Sequence, residues 1–364
     1  MLPLEGALLA KVTELHRVAP TPDRATNSAT IRSAYRVAAA VVLALLVTSL
    51  PILLSGKSPL AAYGSLLNGA FGSLDNVAFA LNKSTPYILT ATGVALCFRA
   101  GIINIGGEGQ IVIGALTASW VALNLSGPAL LVVPLAMLGG VVGGAAWAGI
   151  AAAIRLTRGV HEVLSTLLLN FIGVLAVSSA LNGSMGEPGA GFPQSPLFND
   201  EFLLPKLFAG YEAHWGVVLA VVLAILAQIL LWRTRFGFQL RLLGGSRQAA
   251  DYAGVSFSRG VMAVMLLSGG LAGLAGAVEV LGVHFRLIEG FSQGIGFTAV
   301  AVALLGLVDP LTIVPAALFF GFLQAGSLAM QREVGVPSSL IYVIQGLSTV
   351  FVLCALGFER WRQR

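Results

Sequence analysis

Long apolar runs recur along the whole chain and constrain its fold more than any other feature. A helix needs about 20 mostly apolar residues to cross the hydrocarbon core of a bilayer. Only 10% of the residues are charged, whereas soluble domains carry roughly 25%. The runs therefore predict an all-α integral membrane protein, a polytopic bundle of about ten transmembrane helices. The predicted spans cover residues 37–55, 85–99, 103–124, 128–153, 162–181, 215–232, 260–282, 293–308, 311–330 and 338–357.

Lysine and arginine are distributed unequally between the two sides of this layout, and the positive-inside rule places the richer side in the cytoplasm. The poorer side holds five basic residues, Lys57, Lys83, Lys206, Arg286 and Arg332. The other sixteen, which include both ends of the chain and the loop around Arg241, lie on the richer side. Both termini are therefore predicted to be cytoplasmic, and basic residues scattered over short loops do not indicate nucleic-acid binding.

The same layout divides the chain into segments. A cytoplasmic N-terminal segment at 1–36 precedes a transmembrane domain at 37–357, and a cytoplasmic tail follows at 358–364. Within the domain we expect an external loop at 182–214 and a cytoplasmic loop at 233–259. Residues 56–83 are only half apolar and predict an external loop with an interfacial helix.

The glycines predict how the helices pack. Lipid gives helices no hydrophobic reason to associate, so small residues supply close backbone contact. The sequence contains 44 glycines, and several recur at helical spacing. The predicted packing faces are Gly139, Gly140, Gly143 and Gly144 in one span and Gly270, Gly273 and Gly276 in another.

No pattern in the sequence indicates chemistry carried out by this chain. The stretch Ser55–Ser58 resembles the end of a phosphate-binding loop, but Pro51 stands where that loop requires a glycine. Neither a serine, histidine and acid arrangement nor zinc-ligand spacing is present. The sequence therefore predicts neither catalytic residues nor a metal site.

A polar, glycine-rich stretch predicts a broken helix near 103–110. It contains Asn104, Glu108 and Gln110. An acidic side chain at the bilayer centre costs roughly 3 kcal/mol, so it needs a partner, a cavity or an interfacial position. Irregular backbone is tolerated there where protein buries it or it lines a cavity. Two interpretations stay open: the stretch lines or supports a substrate pathway, or it hydrogen-bonds a broken helix.

Two other polar residues are candidates for the same pathway. Asn170 lies in the middle of the fifth span, where an amide must find a partner, either to tie helices together or to face the pathway. Glu279 follows the second glycine face near the outer end of its span, where an interfacial carboxylate is the alternative.

Four blocks, in order along the chain, resemble one family. They are 98–110, which ends in Asn-Ile-Gly-Gly-Glu-Gly-Gln, and the stretches 161–170, 241–254 and 268–279. The family is that of the ABC importer permeases of the simple-sugar and nucleoside group, related to ribose and branched-chain amino acid permeases. The Asn-Ile-Gly-x-Glu-Gly-Gln form is similar to nucleoside-type permeases. His161 departs from the family, in which asparagine is common.

This resemblance implies a type II importer-like permease subunit that moves nucleosides across the bacterial inner membrane by alternating access. It implies no cofactor in this chain, with ATP and Mg bound by a partner ATPase. The other implied partners are a second related permease, which would form a heterodimer, and a substrate-binding lipoprotein, and the ATPase is expected to carry duplicated nucleotide-binding domains.

The resemblance also implies a cytoplasmic coupling helix that docks on the ATPase. Ser246 can cap such a helix and the alanines favour it. The coupling residues are Gly244, Ser246, Arg247, Gln248, Ala249, Ala250, Asp251 and Tyr252. The alternatives are a permease for a simple sugar such as ribose, an ion-coupled secondary transporter, which also shows broken helices, and an intramembrane enzyme.

Overall fold

The computed structural model describes residues 42–337 and 339–362, and the regular structure in these ranges is helical. The predictions for residues 1–41, 338 and 363–364 lie outside the described residues. The helices are α1 Val42–Leu54, α2 Pro59–Phe71, α3 Leu74–Arg99, α4 Gly107–Asn124, α5 Ala129–Arg158, α6 Glu162–Leu181, α7 Gly216–Arg233, α8 Arg235–Gly245, α9 Arg247–Tyr252, α10 Phe257–Glu279, α11 Ile295–Leu305, α12 Pro310–Val334 and α13 Ser339–Arg362.

Several of these helices can cross a membrane by length and composition alone. Among the described residues there are five, namely α5, α6, α7, α10 with the turn that follows it, and α12, or six if the bent pair α1 and α2 forms one span. The all-helical membrane class is therefore confirmed. Five or six candidate spans are fewer than ten, so the count of ten spans stays a prediction. The predicted span at 293–308, for example, contains only the 11 residues of α11, far fewer than the 20 or so that a crossing needs.

The region 56–83 differs from its prediction as a loop with one short interfacial helix. It contains α2, and α3 already begins at Leu74. Hydropathy misses the start of α3 because Asn82, Ser84 and Thr85 are polar, but all three are buried. Ser84 donates its hydroxyl proton to Ala80 O at 2.8 Å, which satisfies the group within the helix itself.

The described residues fall into two compact units. The first unit, Thr85–Ala317, is built around α4, α5 and α10. A methyl group added at Gly273 in α10 would overlap Gly140 O in α5, and one added at Gly276 would overlap Ile111 O in α4. Gly144 meets the backbone of Gly269 in the same way. The predicted glycine faces are therefore packing surfaces, at which three helices make backbone contact.

The predicted external loop 182–214 is tied to the segment that follows α10. Ser195 N donates to Leu287 O at 2.8 Å, and Leu204 N donates to Leu281 O at 3.0 Å. The loop 182–214 contains a 3₁₀ turn, Asp200–Phe202. These non-local backbone bonds satisfy polar groups that neither segment could pair by itself.

The second unit contains residues 42–84 and 318–362 of the described chain. Its core packs Ile52 of α1 and Leu66 of α2 with Leu323 and Met330 of α12. Phe71 stacks on Phe322, with ring centroids 4.7 Å apart. A methyl group at Gly326 would overlap Leu66 O, so small residues again bring two helices into backbone contact.

Candidate functional site

The segment 100–106 joins α3 to α4 inside the first unit, and polar side chains from α6 bond its backbone. Ile103 N donates to Glu162 Oε1 at 3.2 Å, and Ile105 N donates to Thr166 Oγ1 at 3.4 Å. The second carboxylate oxygen of Glu162 pairs with Arg155. Residues four apart share one face of a helix, so a single stripe of α6 accepts bonds from two backbone amides of this irregular segment.

Asn170 is the next residue on the same stripe and is 2% exposed. Its Oδ1 accepts from Gly109 N at 2.8 Å, and its Nδ2 donates to Ile105 O at 2.8 Å. Both halves of the buried amide are therefore satisfied by backbone groups on either side of the start of α4. This geometry matches the expectation that Asn170 ties helices together.

Asn104 and Gln110 pair with each other across the same turn. Asn104 Nδ2 donates to Gln110 Oε1 at 3.1 Å and to Ser268 Oγ at 2.9 Å. Asn104 Oδ1 accepts from Gln110 Nε2 at 3.1 Å and from Gly106 N at 2.9 Å. All three side chains are fully buried, so two amides and a hydroxyl bond one another in the interior at the start of α4.

Glu108 lies in the first turn of α4 and is 5% exposed. Its Oε1 accepts from Ser292 Oγ at 2.6 Å and from Gly294 N at 3.0 Å. Its Oε2 accepts from Gly296 N at 2.7 Å. Gly294 is the N-cap of α11, so the carboxylate caps the positive end of that helix, where a negative charge is favoured.

The first turns of α4 and α11 meet at this carboxylate. A side chain at Gly296 would overlap the backbone of Gly107 and Glu108, and Gly107 is itself packed against Thr90. Gly107, Glu108 and Gly296 are all buried. We call this region, residues 104–110 with Asn170, Ser268 and 292–296, the buried junction. Two helix N-termini converge there, a geometry that polar or anionic groups can use.

Glu279 lies elsewhere, at the end of α10. It is 1% exposed, and its Oε2 lies 3.4 Å from His284 Nε2. Residues 280–284 form a π-helical turn, and Phe285 follows with a φ of 60°. The buried acid is therefore followed directly by an irregular segment. π-Helical turns of this kind recur at functional sites.

The predicted coupling segment contains the short helix α9. Ser246 is its N-cap, and its Oγ accepts from Ala249 N at 3.2 Å, as the sequence predicted. Tyr252 is 86% exposed, whereas Ala250 is 0% exposed. The guanidinium of Arg247 lies 4.1 Å from the ring centroid of Phe257. Except for Ala250, α9 therefore presents its side chains outward.

The structure brings Asn104, Glu108, Gln110 and Asn170 together in the buried junction and places Glu279 beside His284. Sequence reasoning missed Ser268 and Ser292 as members of the junction. Ser268 opens the fourth block that resembles the family, which was the one available signal. Ser292 lies in a loop and carries no such signal.

The fold is that of a helical membrane protein with irregular polar backbone in its interior, a feature that the membrane components of transport systems share. The chain belongs to the family described as branched-chain amino acid transport system, permease component, which matches residues 76–353. The predicted family is therefore confirmed, and so is the prediction that the chain is a transport subunit rather than an enzyme.

Several ABC transporter permease proteins are similar to this chain over most of its length. It is 35% identical over 333 residues to the glucose ABC transporter permease protein of Haloferax volcanii, covering 88% of this chain and 87% of the relative. It is 35% identical over 318 residues to the guanosine ABC transporter permease protein of Bacillus subtilis, covering 86% and 91%. The nucleoside ABC transporter permease protein of Lactococcus lactis is 31% identical over 327 residues, covering 86% and 88%.

Proposed function

We propose that this chain is the permease subunit of an ATP-driven importer that moves nucleosides by alternating access. Its membership of an ABC permease family supports the importer class and gives no support to an ion-coupled transporter or an intramembrane enzyme. The observation that carries the proposal is the buried junction, where the amide side chains of Asn104, Gln110 and Asn170 and two helix N-termini converge.

The chemistry of the junction suits a nucleoside. Base edges and ribose hydroxyls need donors and acceptors at fixed positions, which Asn104 and Gln110 supply. In the present conformation these amides bond each other and Ser268. We expect the substrate to exchange with these bonds in another state of the cycle, while Asn170 and Glu108 hold the two helix starts in place. Glu279 is proposed to act nearer the outer end of the pathway.

Two of the three relatives described above are named as guanosine or nucleoside permeases. The Asn-Ile-Gly-x-Glu-Gly-Gln form likewise favours a nucleoside as the substrate. The second candidate is a simple sugar, which the glucose permease of Haloferax volcanii supports at the same 35% identity.

Competition distinguishes the two substrates. In vesicles that hold the complete importer, unlabelled nucleosides at about 100 times the Kd should suppress uptake of labelled guanosine about 100-fold, because they occupy one site. Glucose and ribose at equal concentration should leave uptake unchanged. Suppression by a sugar, or absent guanosine uptake with intact sugar uptake, would replace the nucleoside assignment by the sugar one.

We assign ATPase docking to α9. The exposed residues Arg247, Gln248, Ala249, Asp251 and Tyr252 offer charged, amide and aromatic contacts. Gly244 and Ser246 set the position of the helix. ATP and Mg would bind the partner ATPase, whose closure moves α9.

The structure sharpens the test of this docking site. Ala249 is exposed and Ala250 is buried, so only Ala249 can be changed without disturbing the core. Ala249→Glu should weaken co-purification with the ATPase at least about tenfold, since a buried unpaired charge costs 2–5 kcal/mol or so at an interface. Ala253→Glu, at an exposed position just past the helix, is the matched control. Normal co-purification of Ala249→Glu would refute docking through α9.

The complete importer would also contain a second related permease, a substrate-binding lipoprotein at the outer face and an ATPase with duplicated nucleotide-binding domains. A second nucleoside permease of Lactococcus lactis also matches this chain, which supports a heterodimer. We propose that the chain lies in the bacterial inner membrane. The excess of basic residues on one side supports placing both termini in the cytoplasm.

A further inference from the structure

Arg99, the last residue of α3, bonds the turn that follows α11. Its Nε donates to Val308 O at 2.7 Å, and its Nη2 donates to Leu307 O at 3.3 Å. A guanidinium that holds two consecutive carbonyls fixes both the position and the orientation of a turn. Arg99 therefore anchors the C-terminal end of α11, whose N-terminal end is capped by Glu108.

The anchored turn has an unusual backbone. Leu307 and Val308 have φ values of 54° and 56°. This left-handed region is unfavourable for residues other than glycine, and above all for a β-branched valine. Such a conformation persists only where surrounding contacts impose it. The two bonds from Arg99 are contacts of this kind.

Trp232 at the end of α7 joins the same cluster. Its indole nitrogen donates to Asp309 Oδ1 at 3.2 Å. The guanidiniums of Arg99 and Arg241 lie 5.5 Å and 4.5 Å from the centroid of its ring. Arg241 belongs to α8, so the turn, α3, α7 and α8 all meet at one tryptophan.

The stem of the coupling segment contacts Arg99 directly. A methyl group at Gly244 would overlap Arg99 O and lie 3.0 Å from Gly101 N. By contrast, a methyl group at the neighbouring Gly245 meets nothing within 4 Å. Only two residues, Gly245 and Ser246, separate Gly244 from the start of α9, so a shift of α9 reaches the backbone of Arg99 through a glycine contact.

From these contacts we infer that Arg99 is a positioning residue that links the docking helix α9 to α11 and, through α11, to the Glu108 cap of the buried junction. The inference rests on the proposed docking of the ATPase at α9. Movement of α9 presses on Arg99 through Gly244, and Arg99 moves the strained turn. Because α11 is held at both ends, displacement of the turn alters the cap at its other end.

The test compares two neighbouring glycines in the complete importer, reconstituted in vesicles. Gly244→Ala should lower the substrate transported per ATP hydrolysed by about tenfold, since it displaces the backbone of Arg99 and disturbs the two bonds from its guanidinium to the turn. The residues proposed to contact the ATPase are unaltered in this variant, so its co-purification with the ATPase should fall far less than in Ala249→Glu. Gly245→Ala should match the unmodified chain in both measurements. Equal transport per ATP in the two variants would overturn the inference.

Arg99→Gln decides the question if Gly244→Ala does not accumulate. It should also lose transport per ATP by about tenfold while ATPase association persists. Adding Val308→Gly, which accepts a positive φ without strain, should restore part of that ratio. Unchanged coupling in Arg99→Gln would refute the inference. Loss of ATPase association is expected only from Ala249→Glu, so failure of the docking proposal has a different readout.

Discussion

At the scale of single residues, the buried side chains of Glu108 and Asn170 are bonded mainly to backbone. Glu108 accepts two backbone N–H groups and a hydroxyl, and Asn170 bonds one N–H and one carbonyl. Leaving such a group unpaired in an apolar interior costs about 1–3 kcal/mol. These residues therefore determine where α4 and α11 begin, and through that the shape of the buried junction.

Replacing Glu108 with glutamine tests the cap. The amide of Glu108→Gln offers one acceptor oxygen where the carboxylate has two, so at least one of the N–H groups of Gly294 and Gly296 loses its partner. We expect nucleoside uptake to fall by about tenfold or more, measured in vesicles at matched protein levels. Glu201→Gln, an exposed carboxylate in the 182–214 segment, is the control. Wild-type uptake by Glu108→Gln would exclude a role of the cap in transport.

At the scale of elements, glycine contacts rather than long apolar side chains hold α4, α5 and α10 together. Thr117 adds a bond between two of these helices, since its hydroxyl donates to Gly139 O at 2.8 Å. In lipid, burial of apolar surface supplies no force between helices, so association depends on the close backbone packing that small residues allow. The helices can approach closely only because no side chain stands at Gly140, Gly144, Gly273 or Gly276.

One methyl group at this packing surface should be costly. Gly273→Ala places a carbon on Gly140 O, and overpacking of this kind costs about 1–3 kcal/mol. We expect a lower midpoint of thermal unfolding in detergent. Gly64→Ala in α2, where a methyl group meets nothing within 4 Å, should leave the midpoint unchanged or raise it. A midpoint for Gly273→Ala equal to that of Gly64→Ala would contradict the packing argument.

At the scale of the whole molecule, the orientation of the chain across the membrane can be tested at the two ends of α5. The distribution of charge predicts the side on which each end lies. Ser126 precedes α5 and Arg158 ends it, and both are exposed. Sixteen of the 21 basic residues, Arg158 among them, lie on the predicted cytoplasmic side. A helix of 30 residues is long enough to place its two ends on opposite sides of a bilayer.

Labelling from outside measures this orientation. With Cys354 replaced by serine and Cys97 buried, Ser126→Cys should react with an impermeant maleimide in spheroplasts. Arg158→Cys should react only after permeabilisation. The reverse pattern would invert the topology and remove α9 from the side on which ATP is hydrolysed.

Much of the site was visible in the sequence because its chemistry is local. Asn104, Glu108 and Gln110 lie within seven residues in a polar interruption of an apolar run, and Asn170 is an isolated amide within another. Ser246 was predicted as a helix cap from its neighbours alone. Ser292 and Gly294 could not be found in this way, because they reach Glu108 from a loop 184 or more residues along the chain.

The sequence by itself determined the membrane class, the family and the glycine faces, since each depends on composition or spacing along the chain, and it predicts the sidedness of the charges. Only the tertiary structure decided which partners satisfy the buried polar groups, that α11 is capped by Glu108 and anchored by Arg99, and that α3 extends back to Leu74. The physical reason is that a buried polar group must be paired, and most of the partners here come from distant segments that only the folded chain brings within hydrogen-bonding distance.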